Sequence, residues 1–154
     1  MGRNGAKTCV QVIVVEDDRT FLSFWGRFLE EMEIFDYQLV SNPVAADALL
    51  EKVECKLLIS DINMPTVNGY ELAKSARERS PACAVILTTA YGVNLSRFDI
   101  GTSSFHIVYK PYNDLNELAK LIRHLLAGDT TFDDISEDSF SENEDIPTVT
   151  EWKL

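Results

Sequence analysis

Short β-branched runs alternate with helical segments along most of the chain, and this alternation limits the fold more than any other feature of the sequence. Residues 10–15 and 84–88 are nearly continuous apolar runs of strand length, typical of strands covered on both faces. Between such runs the apolar residues recur at helical spacing, as in residues 20–32. The pattern predicts an α/β fold with a parallel sheet between helices and with right-handed crossovers.

The bounds of the elements follow from their apolar patterns, caps and breakers. Asn42 and Pro43 are typical of a helix start, and Gly128 is typical of a residue that ends one. Between Ala90 and Phe105 the apolar periodicity is weak, so we expect a short, loose or distorted fourth helix there. We expect strands at residues 10–15, 37–40, 57–61, 84–88 and 105–109, and further helices at residues 20–32, 42–53, 70–79 and 115–126.

The composition changes after residue 127. The chain has a net charge of −11, and residues 128–154 hold nine acidic residues against a single lysine. Such a segment has too few apolar side chains to offset the entropy lost on ordering. We therefore expect a folded domain at residues 8–127 and an acidic, disordered tail at residues 128–154. Two alternatives stay open: residues 146–154 are a docking peptide anchored by Trp152 and Leu154, or the tail packs on the irregular fourth crossover.

Charge and hydropathy also exclude several classes of protein. The negative net charge disfavours binding to nucleic acid or to an anionic membrane surface. No apolar run is long enough to span a membrane, and the first residues do not resemble a signal segment, so we expect a cytoplasmic protein without membrane insertion. Cys9, Cys55 and Cys83 are far apart in the sequence, without the spacing of a metal or redox motif, and we expect reduced core thiols.

Polar side chains stand where four of the predicted strands end. Residues 16–18 are Glu-Asp-Asp, Asp61 closes the third strand, Thr88 and Thr89 close the fourth, and Lys110 follows the fifth. The carboxyl ends of parallel strands meet at one edge, where ligands bind. Clustered carboxylates repel one another unless a cation compensates, and Mg²⁺ is the usual cation where a phosphate is also bound. An aspartate there can attack a phosphorylated donor, while a lysine and a hydroxyl bind phosphoryl oxygens.

Each of these residues also has a purely structural interpretation. The acidic run can cap the next helix, Asp61 can belong to a turn, the threonines can be ordinary strand residues, and Lys110 can be an exposed charge. Taken singly, the structural interpretation is the better one for each residue. Their joint occurrence at successive strand ends favours a common site.

Four motifs together resemble response-regulator receiver domains of two-component signalling. The resemblance covers about residues 11–126, and its most specific part is the Asp-x-x-Met-Pro-x-x-x-Gly stretch. It implies a flavodoxin-like three-layer sandwich with a five-stranded parallel sheet in the order 2-1-3-4-5. The motifs are Val14-Val15-Glu16-Asp17-Asp18, Asp61-Ile62-Asn63-Met64-Pro65 followed by Asn68-Gly69-Tyr70-Glu71-Leu72, Thr89-Ala90, and Lys110-Pro111.

The resemblance assigns a role to each motif residue. Asp61 would be the phosphoacceptor and Asp17 a direct Mg²⁺ ligand, while Glu16 would hold the ion through water. Asn63 would offer its backbone carbonyl to the metal. Lys110 would pair with a phosphoryl oxygen, across a Lys110–Pro111 bond that is expected to be cis.

The resemblance also implies a switch, from which this sequence departs in part. Thr89 would move toward the phosphoryl group and report its presence. The family usually places an aromatic residue three positions before the lysine, but here that residue is Ile107, and Tyr109 is a nearby aromatic. Asn63 and Tyr91 occupy the positions that tune dephosphorylation, and the bulky Tyr91 predicts a slow loss of the phosphoryl group.

The expected function is that of a stand-alone response regulator. A sensor histidine kinase or a phosphotransfer protein would phosphorylate Asp61, and the domain would catalyse only its own phosphorylation and dephosphorylation. It would signal to an unknown downstream protein, as a monomer or as a phosphorylation-dependent dimer. A phosphatase of the haloacid-dehalogenase type is disfavoured because Asn63 stands where that class needs an acid. A degenerate receiver that binds partners without phosphorylation is the alternative.

Overall fold

The computed structural model describes residues 7–90, 105–128 and 151–153. Within these residues helices and strands alternate up to the fourth strand, as the sequence predicts. The elements are β1 (Thr8–Val15), α1 (Arg19–Glu31), β2 (Tyr37–Val40), α2 (Pro43–Lys52), β3 (Val53–Asp61), α3 (Gly69–Arg79), β4 (Ala84–Ala90), β5 (His106–Lys110), α4 (Leu115–Leu126) and β6 (Glu151–Lys153).

One parallel sheet joins all the described strands. Its order is β2-β1-β3-β4-β5-β6, and every neighbouring pair is parallel. The first five strands have the predicted order 2-1-3-4-5, so the predicted fold is confirmed. The sixth strand was not predicted: it comes from the end of the acidic segment and pairs with β5, with Ile107 opposite Glu151 and Tyr109 opposite Lys153.

Helices cover both faces of the sheet, because alternate residues of the central strands point to opposite sides. In β1, Val12 and Val14 pack in the core with the buried faces of α1 and α4. Ile13 and Val15 belong to the second core, which includes buried residues of α2 and α3. The near-continuous apolar runs of the sequence are therefore the strands buried on both faces.

The helix starts follow the capping residues. The side chain of Asp18 accepts hydrogen bonds from the backbone N–H groups of Thr20 and Phe21, and Asn42 caps α2 in the same way. Asn68 caps α3 by accepting from the N–H of Glu71. Gly128 has φ +70° just after α4, a conformation that glycine adopts without steric cost.

Two predictions about single segments differ from the structure. β3 begins at Val53, four residues before the predicted start, because α2 ends at Lys52 and the extended chain pairs at once with the start of β1. Cys9 is exposed rather than in the core, since the first residues of β1 extend beyond the helix layers. The predicted irregular fourth helix lies in residues 91–104, and most of the predicted disordered tail in residues 129–150, both outside the described residues.

Candidate functional site

The candidate site lies at the carboxyl edge of the sheet, where the predicted residues meet. Glu16 and Asp17 directly follow β1, Asp61 is the last residue of β3, and Lys110 is the last residue of β5. Because β1 and β3 are neighbours in a parallel sheet, their ends bring the acidic residues side by side. The Lys110–Pro111 bond is cis, as expected.

Three carboxylates and one ammonium form the centre of the site. Carboxylate oxygens of Glu16, Asp17 and Asp61 lie within 4.8 Å of one another. Lys110 Nζ lies 2.9 Å from Glu16 Oε1 and 3.2 Å from Asp61 Oδ2, so a single cation contacts both buried acids. Glu16 and Asp61 are buried, whereas Asp17 is exposed at the mouth of the site.

The charges of the site are not balanced within the protein. Burial raises the pKa of the Asp61 carboxyl above its ordinary value, although the charge and hydrogen bond of Lys110 act in the opposite direction. Burial likewise raises the pKa of Glu16. Burial alone would lower the pKa of Lys110, but its contacts with Glu16 and Asp61 raise it, so the ammonium stays charged. One ammonium among three carboxylates leaves the site short of positive charge.

The acidic run after β1 is divided between two tasks. Asp18 is the N-cap of α1, so the structural interpretation is right for this residue. Its own backbone N–H donates to Glu16 Oε2 at 3.1 Å, which orients the buried glutamate. Glu16 and Asp17 remain directed to the site, as the resemblance implies.

The loop between β3 and α3 lies close against Asp61. The backbone N–H of Asn63 donates to Asp61 Oδ1 at 3.3 Å. A Cβ atom placed on Gly69 would lie only 2.1 Å from the carbonyl oxygen of Asp61 and 2.8 Å from Ser60 Oγ. Gly69 therefore lets the start of α3 approach the end of β3 more closely than any side chain would permit.

The predicted switch residues lie on β4 and β5. Thr89 is fully buried, and its hydroxyl has no hydrogen-bond partner among the described residues. Ile107 and Tyr109 are buried on β5, where Tyr109 is the register partner of Thr89. Tyr91, the predicted shield of the phosphoryl group, and Leu154 of the docking alternative lie outside the described residues, and for Trp152 the structure describes only its place in β6.

Two aromatic residues beside Lys110 were not predicted as part of the site. The ring of Phe21 lies 4.4 Å from Lys110 Nζ, within the range of a cation–π contact. Tyr112 packs edge-on against Phe21, with ring centroids 5.6 Å apart. The helical spacing placed Phe21 on the apolar face of α1. Its contact with Lys110 was not predicted; the sequence signal for it is the position of Phe21 in the first helical turn after the Asp18 cap.

The donor set fits a hard divalent cation. Carboxylate oxygens are the ligands that Mg²⁺ prefers, and two of the three carboxylates here are buried with an incomplete balance of charge. Asp17 and Asp61, with Glu16 behind them, are the side chains that would hold the ion. The position of the Asn63 carbonyl as a fourth donor stays a prediction.

Comparisons with known proteins point to one family. A family model described as the response regulator receiver domain matches residues 12–123. Response regulator Rre1 of Synechocystis sp. is 30% identical over 135 residues, which is 84% of this chain and 57% of that protein. The chain spans less than two thirds of the length of this relative and of a second curated one.

Solved structures show the same fold. A response regulator receiver protein from Sinorhizobium medicae superposes with a TM-score of 0.67 at 21% identity, covering 77% of this chain and 95% of the other. The receiver domain of Ssk1 from Saccharomyces cerevisiae, crystallised with the histidine phosphotransfer protein Ypd1, gives a TM-score of 0.63 at 22% identity, covering 79% and 92%. Within the described part of this chain, none of the helices has the length and apolar character needed to cross a membrane.

Proposed function

This chain belongs to the family of response regulator receiver domains, and we propose that it accepts a phosphoryl group on Asp61 and passes the signal to another protein. The observation that carries the proposal is the arrangement around Asp61. Its carboxylate lies within 4.8 Å of those of Glu16 and Asp17, and 3.2 Å from Lys110 Nζ. A phosphorylated aspartate needs a cation site on one side and a fixed positive charge on the other.

Each residue of the site has a distinct task in the proposed transfer. A carboxylate oxygen of Asp61 attacks the phosphorus of a phosphohistidine, so a P–O bond forms, the P–N bond breaks and the histidine is released. Lys110, held by Glu16 at 2.9 Å, donates to a phosphoryl oxygen as negative charge moves into the site. When bound, Mg²⁺ supplies the further positive charge that the three carboxylates and the phosphoryl oxygens require.

Thr89 is the proposed sensor of the phosphoryl group. Its buried hydroxyl has no hydrogen-bond partner in the described part of the chain, and such a group gains by finding one. A phosphoryl oxygen on Asp61 would be an acceptor for it. Movement of Thr89 would then reach β5 through its register partner Tyr109, beside the buried Ile107.

The phosphoryl donor is proposed to be a sensor histidine kinase or a phosphotransfer protein. The crystallised complex of the Ssk1 receiver domain with Ypd1 supports a donor of this kind. The net charge of −11 supports an output through protein contacts rather than through nucleic acid. The stand-alone arrangement, the cytoplasmic location, the downstream protein and the oligomeric state stay predictions.

The test is phosphorylation with a small donor. We expect wild-type protein incubated with acetyl phosphate and Mg²⁺ to gain the mass of one phosphoryl group in intact-mass spectrometry. Asp61→Asn should gain none, because an amide is not a nucleophile here. Asp36→Asn, which changes an exposed aspartate outside the site, is the matched control and should behave as the wild type.

The same experiment tests the binding-module alternative. A wild type that binds Mg²⁺ but gains no mass would contradict the proposal and favour a receiver that works without phosphorylation. Mass gain on both wild type and Asp61→Asn would place the phosphoryl group on another residue. Either result would overturn the assignment of Asp61.

A further inference from the structure

Two cysteines that are distant in the sequence touch in the core. Cys55 Sγ and Cys83 Sγ lie 3.5 Å apart, and both residues are buried. Cys55 lies in the first half of β3, and Cys83 immediately precedes β4. The sequence predicted reduced core thiols without the spacing of a metal or redox motif. In the structure, two of these cysteines form a pair, which lies outside the acidic site.

The backbone holds this pair in a position suited to a covalent bond. β3 and β4 are neighbouring parallel strands, and the register pair Leu57–Ala84 places Cys83 beside Lys56, one residue along β3 from Cys55. Strands about 4.8 Å apart with a rise of about 3.3 Å per residue give such a diagonal pair a Cα separation of about 6 Å, within the range that disulfides span. The sulfur atoms need to approach by only about 1.5 Å to reach the S–S bond length. Side-chain rotation can supply much of that distance.

The contact between the two thiols favours ionisation of one of them. Either sulfur can donate the hydrogen bond, and the thiol that accepts it has the lower pKa. The hydrogen bond with Cys55 and the positive charge of Arg77 lower the pKa of Cys83, whereas burial opposes the ionisation of both thiols. One thiol of the pair therefore ionises more readily than the other, as in an attacking and a resolving cysteine.

A narrow pocket brings the buried pair close to the protein surface. Both cysteines line a narrow pocket at the amino ends of β3 and β4, together with Leu50, Ala76 and Arg79. The rim includes Lys7 and Glu54, which are exposed. The space beside the thiols holds no more than about one water molecule, so an oxidant reaches them by local opening at the amino ends of β3 and β4 rather than by global unfolding.

We propose that Cys55 and Cys83 are a reversible disulfide site oxidised by a small hydroperoxide. Cys83 attacks one oxygen of the hydroperoxide as the thiolate, so that an S–O bond forms and the O–O bond breaks; the departing oxygen takes up the proton that Cys83 released and leaves as water or an alcohol. Cys55 sulfur then attacks Cys83 sulfur, the S–S bond forms, and the S–O bond breaks to release water with the Cys55 proton. The two thiols are oxidised by two electrons and the hydroperoxide is reduced by two.

The proposal is independent of phosphorylation. Cys55 lies six residues before Asp61 on the same strand, so the disulfide and the acidic site are about 20 Å apart at opposite ends of β3. The bond would join the amino ends of β3 and β4 and leave the carboxyl edge open. Failure of one proposal therefore does not imply failure of the other.

The test uses the full chain under non-denaturing conditions. The reduced protein is exposed to hydrogen peroxide, alkylated after unfolding, and analysed by intact mass and by non-reducing peptide mapping. We expect the loss of two alkylated thiols and of two hydrogens, a linked peptide pair containing Cys55 and Cys83, and full reversal by dithiothreitol. A rise in the melting temperature should accompany oxidation, because the bond closes a loop of the unfolded chain.

Three variants make the result specific. Cys9→Ser removes the exposed cysteine and should still form the linked peptide, whereas Cys55→Ala and Cys83→Ala should not. Circular dichroism shows whether each variant folds. If a variant does not fold, the peptide map of the wild type alone shows whether the Cys55–Cys83 bond forms. Unchanged alkylation of Cys55 and Cys83 after oxidation, or a bond that involves Cys9, would overturn the proposal.

Discussion

Adjacent carboxylates at the end of β1 differ in function because they differ in surroundings. Glu16 is buried against Lys110, Asp17 is exposed at the mouth of the cluster, and Asp18 has turned away to cap α1. Two consecutive residues therefore differ in role: Asp17 would bind a metal ion, and Asp18 stabilises the start of a helix. Substitutions at the two aspartates should have separable effects.

We expect Asp17→Ala to weaken Mg²⁺ binding by about 10- to 100-fold and to leave stability nearly unchanged. Asp18→Ala should lower the free energy of unfolding by about 1 kcal/mol, the usual cost of a lost cap, while Mg²⁺ binding changes little. Titration calorimetry with Mg²⁺ and urea unfolding of both variants measure the two quantities. Equal losses of metal affinity in the two variants would contradict this division.

Lys110 opposes one proposed function of the site and supports the other. Its ammonium lies against both Glu16 and Asp61, so it competes with a metal ion, but a phosphoryl group on Asp61 would need it. We expect Lys110→Met to bind Mg²⁺ at least as tightly as the wild type and to be phosphorylated by acetyl phosphate about 100-fold more slowly.

Metal titration and the rate of mass gain measure these opposite effects. Lys56→Met, which changes an exposed lysine of β3, is the control and should alter neither. Loss of metal affinity in Lys110→Met would show that the lysine organises the carboxylates rather than competing with the ion.

At the scale of elements, the start of α3 is fixed to the end of β3 by close backbone contact. The N–H of Gly69 donates to the carbonyl of Ile62 at 2.9 Å, and no side chain separates Gly69 from Asp61. The Asn68 cap then directs the helix away from the sheet edge. This junction positions the loop that carries Asn63 beside Asp61.

We expect Gly69→Ala to lower the free energy of unfolding by at least about 2 kcal/mol, because the new Cβ would lie 2.1 Å from a carbonyl oxygen. Gly26→Ala is the matched control. Its Cβ would meet only the ends of two side chains, Leu39 at 3.1 Å and Tyr37 at 3.8 Å, and helix propensity favours alanine, so the change should stay within about 1 kcal/mol. Urea unfolding compares the two variants, and similar losses would contradict the contact.

Local patterns in the sequence were sufficient to predict most elements and the centre of the site. Apolar runs predicted the first five strands, Asn42 predicted the start of α2, and the ends of the strands predicted that Asp61 and Lys110 lie at one edge. What the sequence did not reveal depends on contacts between distant residues. The Cys55–Cys83 contact spans 28 positions, and Phe21 meets Lys110 only after α1 has packed on the sheet.

Strand β6 was not predicted for a similar reason. Three residues are too few for a recognisable pattern, and a strand of that length forms only on an edge that is already present. The acidic composition before it favoured the prediction of a disordered tail. Tertiary pairing at residues 151–153 therefore could not be inferred from the local sequence.

For the whole molecule, the partly buried His106 should affect how the free energy of unfolding depends on pH. Burial, with the nearby charge of Arg77, lowers the pKa of His106 from 6.5 to about 4. The unfolded chain therefore binds a proton at this residue over a pH range in which the folded protein does not. Neutral His106 therefore contributes fully to the free energy of unfolding above pH 6.5, and this contribution is lost as the pH falls toward 4.

Between about pH 7 and about pH 4.5, the free energy of unfolding should fall less in His106→Gln than in the wild type. The two decreases should differ by roughly 2–3 kcal/mol. Urea unfolding at both pH values provides the measurement. The raised pKa values of Glu16 and Asp61 act in the opposite direction in both proteins, so the comparison cancels them. Equal pH dependence in the two proteins would show that His106 is protonated without cost.

The short strand β6 also determines how the sheet meets other molecules. A sheet edge presents unpaired backbone groups, and a long flat edge invites pairing with another chain and, at high concentration, aggregation. Here the edge strands are β2, with four residues, and β6, with three. Because both strands are short, few backbone groups at either edge of the described sheet are available for pairing with another chain. β6 also occupies the edge of the longer β5 and so prevents such pairing there.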